Sequence, residues 1–234
     1  MKRRQLLLLL VMLFYVSYDS TAQSREIISE PIIWSQATIN KRLNDAYSTS
    51  LAIQYRAFLD RENGYHLYFD LKLVRNLQYG FSLAVGFINL NINQFVDSGF
   101  VLVPELRPYQ SIQYATKLNR SKFSWRLMVE ERFFKKAAEG DLIEGYESNF
   151  RFRHKAAYQQ HLFQDWRFTV SSEVMFNAVG IDLNIFDQHR TQALLGTTFN
   201  KLSIDVGYMH WFVQTATNRH ENRHTLFLAT ALSI

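Results

Sequence analysis

Ten charged residues recur with same-face spacing through the middle of the chain: Glu105, Arg107, Arg126, Glu130, Arg132, Arg151, Arg153, Arg167, Glu173 and Arg190. A guanidinium binds a carboxylate or a phosphate through two parallel N–H donors. The chemistry on offer is therefore ion pairing or anion binding. If these side chains share one interior, two readings stand. One is a plug of salt bridges filling a narrow barrel. The other is a basic lining for a small pore or a site for an anionic ligand.

Other constellations are thinner. His189 has Asp187 two residues before it and Thr191, not Ser, two after it. A surface hydrolase acting on lipid would need Ser, His and an orienting group in contact, and no Ser stands at a suitable strand spacing from His189. His210 is flanked by Trp211 and Phe212 on a face expected to meet lipid. His220, Glu221 and His224 spell H-E-x-x-H, which makes a zinc site only when a helix brings both histidines to one face; here the string enters a strand. No glycine-rich phosphate loop is present, and the Asn-Gly-Tyr at 63–65 is a turn signal.

The elements that must hold the array are strands. From Trp125, the residues Trp125, Leu127, Val129 and Phe133 alternate with Arg126, Met128, Glu130 and Arg132. Phe150, Phe152, Ala156 and Tyr158 alternate with Asn149, Arg151, Arg153 and Lys155, and Phe168, Val170, Val174 and Phe176 with Arg167, Thr169, Ser171 and Glu173. A period of two places each set on its own face of a strand. Weaker alternation runs through Leu51–Arg56, Leu67–Leu73, Phe81–Phe87, Glu105–Tyr114, Ile204–Phe212 and Leu226–Ile234.

The N-terminus reads as an export signal: basic Lys2, Arg3 and Arg4, an apolar Leu6–Tyr15, and small Ser20 and Ala22 before a cleavage expected ahead of Gln23. At about ten residues the apolar run is half of what a membrane helix needs. Removing residues 1–22 takes three bases and one acid from totals of 26 and 21, so the charge falls from +5 to 23 − 20 = +3. That balance, with export, speaks against a nucleic-acid partner. There is no cysteine, so disulfides and thiol chemistry are excluded, and aromatic residues make up 15% of the chain. With no long apolar run after the leader, closed strands are the remaining way to cross a bilayer, because a barrel pairs every backbone group. The charged face and the aromatics at strand ends fit a barrel with lipid outside and a polar lumen. A soluble sandwich would need its apolar faces to bury one another, and no second class of inward apolar residue is legible.

Connections alternate in length: short near 76–79, 119–121, 160–165 and 200–201, longer near 91–103, 135–147, 177–187 and 214–223, with a short one at 60–64 where a long one is due. Short periplasmic turns and longer outer loops would send the C-terminal strand towards the periplasm. Eleven alternating segments can be counted, an odd number that an all-antiparallel barrel cannot close. Two readings repair the count: residues 24–31 form a further strand ending at Pro31, giving twelve, or residues 24–40 lie outside the wall or within the lumen, giving ten; twelve uses more of the alternation. Trp34 would anchor at the interface in either case.

Several segments in order resemble a family of Bacteroidota outer-membrane barrels catalogued as a domain of unknown function: Trp34, ELRPYQ at 105–110, RLMVEERFF at 126–134, NFRFRHK at 149–155, SSEVMFN at 171–177, FDQHR at 186–190 and GYMHWF at 207–212. The chain departs from that family at His189, where Asn is usual. The resemblance implies an outer-membrane barrel and no assigned activity. The expectation is an all-β transmembrane antiparallel barrel of 10–12 strands over residues 23–234, after a signal peptide at 1–22. Outer-membrane lipid and the barrel-insertion machinery are its expected partners. A monomer without cofactor, metal or nucleic acid is expected, as a structural or interaction barrel, a narrow channel for small anions, or a lipid-modifying hydrolase.

Overall fold

The computed structural model describes residues 26–60, 64–96, 99–179, 186–216 and 219–234. The proposed signal peptide lies outside them. Eleven strands form one closed barrel: β1 (Glu26–Arg42), β2 (Tyr47–Phe58), β3 (Tyr65–Asn76), β4 (Phe81–Val96), β5 (Gly99–Leu118), β6 (Ser121–Ala138), β7 (Asp141–His161), β8 (Arg167–Val179), β9 (Phe186–Phe199), β10 (Leu202–Ala216) and β11 (Arg219–Ser233). Sequential strands pair antiparallel, each with the next. Among the described residues no helix is long and apolar enough to cross a membrane.

The odd count is resolved at the seam. β1 pairs in parallel with β11 from Glu26↔Arg219 to Asn40↔Ser233. Eleven lies within the expected 10–12, and neither way of making the number even is needed: residues 26–42 are one strand, built into the wall and passing straight through Pro31. The carbonyl of Pro31 accepts from Leu59 N at 3.0 Å, so its ring nitrogen faces β2. The β1–β2 ladder begins only at Ile32↔Phe58. Pro31 therefore sits just beyond the end of that ladder, where its missing donor breaks none of the ladder's bonds.

Three of the expected long loops are strand instead. β4 runs to Val96 and β5 starts at Gly99; β6 and β7 are joined at Glu139–Gly140; β10 runs to Ala216 and β11 starts at Arg219. Glu139 and Gly140 have φ of 53° and 81°, the paired positive values that let two residues close a hairpin with the right twist. Polar runs such as Glu144–Asn149 read as loop because they lack an apolar face. At this end the strands outrun the apolar belt, so no such face is demanded.

All eleven strands present large exposed apolar side chains outward, among them Ile33, Leu51, Leu71, Leu83, Leu102, Leu127, Phe152, Val170, Leu195, Val206 and Leu228. Aromatic rings gather at both ends of this belt. Tyr79, Phe81, Phe123, Phe163 and Phe199 lie at the end of the β1–β2 turn; Tyr55, Phe100, Tyr146 and Phe176 lie towards the other.

The inside is not purely polar, contrary to the sequence reading. Ile32, Trp34, Phe58, Met209, Trp211, Val213 and Phe227 form one buried cluster at the seam, and Tyr68, Ile88, Leu90, Tyr109 and Met128 form another. Strands such as Tyr208–Val213 are apolar on both faces, which hides the alternation. Gly86 makes room for the second cluster. A Cβ there would lie 2.3 Å from the Tyr109 ring, which passes over β4 to reach Asp70 Oδ1 on β3 at 2.8 Å.

Candidate functional site

The inward faces of β5 to β9 assemble nine of the ten predicted charges. Glu105 accepts two bonds from Arg107, at 2.6 and 2.7 Å, and one from Arg132 at 2.6 Å. Glu130 takes Arg151 Nε and Arg153 Nη1, both at 2.7 Å. Glu173 takes Arg153 Nη2 at 2.9 Å and Arg126 at 2.7 Å, with Arg190 at 3.9 Å. Glu105, Glu130, Arg151 and Glu173 are buried. Period two explains the packing. Glu105 and Arg107 are two apart on one strand and hence on one face, while Glu130↔Arg151 and Glu173↔Arg190 are direct cross-strand partners.

Arg167 is the exception. It forks onto Asp205 at 2.7 and 2.8 Å and onto Thr198 at 2.7 Å, near the β9–β10 turn. Its place at the start of β8 puts it too close to that end to reach the array. Gly196 leaves the gap, since a Cβ there would meet Asp205 Oδ1 at 1.9 Å.

The sequence reading missed Asp187, which binds Arg151 at 3.0 Å. By strict alternation Asp187 should share the outward face of His189. A register shift opposite Met175 and Phe176 adds one residue to β9, and the bulge turns Asp187 inward. It also missed a cation–aromatic stack across the seam. The Arg56 guanidinium lies 3.7 Å over Trp34 and 5.1 Å from Tyr68; Arg190 lies 4.5 Å and Arg223 4.3 Å from the Trp211 ring. Trp34 is therefore buried inside and is not an interfacial anchor. Alternation alone puts Arg56, Lys72 and Lys155 on the inward face; Lys155 stands directly opposite Glu173, while Arg56 and Lys72 face Trp34 and Ser50, which do not mark them as part of a charged site.

On the outer face the structure does bring a serine to His189: Ser172 Oγ lies 2.9 Å from His189 Nε2, from the neighbouring strand. This corrects the search along a single strand. Among the described residues no carboxylate or amide hydrogen-bonds His189, so the orienting member of a catalytic triad is missing. The pair satisfies two polar groups on an apolar face. In the H-E-x-x-H string, Glu221 turns inward to Arg223 at 2.6 Å, while His220 stacks on Phe212 and His224 on Tyr208. The acid and the two histidines thus do not share a face.

Comparison with known families matches residues 32–222 to a family described as a protein of unknown function (DUF2490). No curated protein and no solved structure matches the chain. The match covers well over half of the chain, so the chain belongs to that family.

Proposed function

We propose that this family member is an outer-membrane barrel, exported by its N-terminal signal and inserted as a monomer by the barrel-insertion machinery, with a lumen closed by its Arg–Glu layer. The observation that carries the reading is the belt of exposed apolar side chains contributed by every strand. Soluble monomers rarely expose contiguous apolar patches beyond a few hundred Å², whereas a lipid-facing band flanked by aromatic girdles is the outer surface of a membrane barrel. The charged layer supports closure. Glu105, Glu130 and Glu173 each bind two or more guanidinium groups along and between the neighbouring strands β5 to β8, and a barrel of this size has an interior that side chains can fill.

The short-turn end faces the periplasm in this reading, and the long hairpins stand on the cell surface as an interaction platform. Fractionation tests the location. The protein is expected with the outer membrane, migrating faster on gels when unheated; release by osmotic shock as a soluble periplasmic protein contradicts it.

A further inference from the structure

Below the charged layer, towards the β1–β2 turn, the lumen widens into a chamber of about 270 Å³. Eight basic side chains and two acidic ones line it. Four of the eight are accounted for: Arg107 by Glu105, Arg151 and Arg153 by Glu130, and Arg126 by Glu173. Of the two lining acids, Asp70 is held by the Tyr109 hydroxyl at 2.8 Å, and Glu173 already serves Arg153 and Arg126. Among the described residues Arg56, Lys72 and Lys155 have no salt-bridge partner, Lys155 standing opposite a Glu173 already taken, and the nearest carboxylate to Arg190 stands 3.9 Å away. Among the described residues the buried Nε donors of Arg56, Arg126 and Arg190 find no acceptor, and the Arg56 residue is only 4% exposed. Buried donors and unbalanced cations are costly unless an anion joins them.

We propose that this chamber binds a small phosphate-type dianion, such as a phosphate monoester, entering from the short-turn end. The proposal rests on the reading of a lumen closed at its other end. Guanidinium forks converging with two ammonium groups match phosphate oxygens on several sides. The remaining lining is polar, with Gln36, Ser50, Ser171 and Gln192 to meet hydroxyl groups. The volume exceeds that of a bare anion, since one water takes about 30 Å³, so a few carbons fit beside the phosphate. Access is through a second cavity at the rim, which carries Lys41 and Arg42 and shares Asn40, Ser50 and Lys72 with the chamber.

The test is calorimetric titration of the detergent-folded full barrel, at low salt, with inorganic phosphate, glycerol phosphate, chloride and glycerol. Saturable binding is expected for the two phosphates alone. The double variant Lys72→Gln/Lys155→Gln should weaken it by about tenfold or more, because two charges leave a poorly screened site. Lys201→Gln, at an exposed turn, should leave it unchanged. Heat-modifiable migration verifies the fold of each variant. In the wild type, glycerol phosphate should also shield Lys155 from amine acylation, read by mass spectrometry, which needs no variant. No saturable phosphate binding, equal competition by chloride, or unshielded Lys155 would overturn the proposal. A barrel that conducts no ions yet binds no phosphate refutes the site and leaves the closed lumen standing.

Discussion

The two sides of the lumen are filled by different chemistry. Across β5 to β9, guanidinium groups meet carboxylates in charge-assisted bonds of 2.6–3.1 Å. At the seam, guanidinium groups lie over aromatic rings: Arg56 over Trp34, and Arg223, which also pairs with Glu221, over Trp211. The difference has a consequence for ligand binding. A carboxylate consumes the donors of an arginine, whereas a ring attracts the charge through its face and leaves N–H groups free. The paired side is suited to closing the lumen. On the stacked side Arg56 keeps a buried Nε–H available to an anion.

The seam and the paired side should also fail differently. The largest effect is expected from deleting residues 24–40. This removes most of β1, which pairs with both β2 and β11, and exposes two strand edges that lipid cannot satisfy. The product should not reach a heat-modifiable, protease-resistant form; a stable ten-strand barrel would show that β1 is not part of the wall. Next comes Glu130→Ala, which strands Arg151 and Arg153. Removing one partner of a buried pair costs about 3–5 kcal/mol, less where lumen water reaches the cations. Glu131→Ala, on the outward face, should stay within about 0.5 kcal/mol. Equal urea midpoints for the two variants would contradict the strand register. The smallest effect is expected at Ser172→Ala, which loses one hydrogen bond worth about 1 kcal/mol. Phospholipid vesicles should show no acyl-ester turnover with either form; turnover that Ser172→Ala abolishes would make the outer-face pair catalytic.

The same contrast decided what could be read from the sequence. β6, β7 and β8 carry one apolar and one charged face, so their strands, their inward residues and nine of the ten array members follow from period two. The seam resisted for three physical reasons. β10 is apolar on both faces because Met209 and Trp211 fill the lumen while Tyr208 points outward. Pro31 looks like a strand end unless its position just past the β1–β2 ladder is known. A parallel closing pair leaves no local mark, since register between β1 and β11 is set by contacts nearly 200 residues apart. Asp187 was lost to a bulge, which alternation cannot foresee. Ser172 and His189 met across neighbouring strands, where spacing along one strand carries no information.

Reconstituting the purified barrel in planar lipid bilayers tests the central claim, a lumen sealed by the Arg–Glu layer, most directly. The wild type should give no stable single-channel conductance at moderate voltage and salt. Glu130→Ala, if it folds, should show at most brief openings as Arg151 and Arg153 are released. Steady, stepwise currents from the wild type would contradict the account.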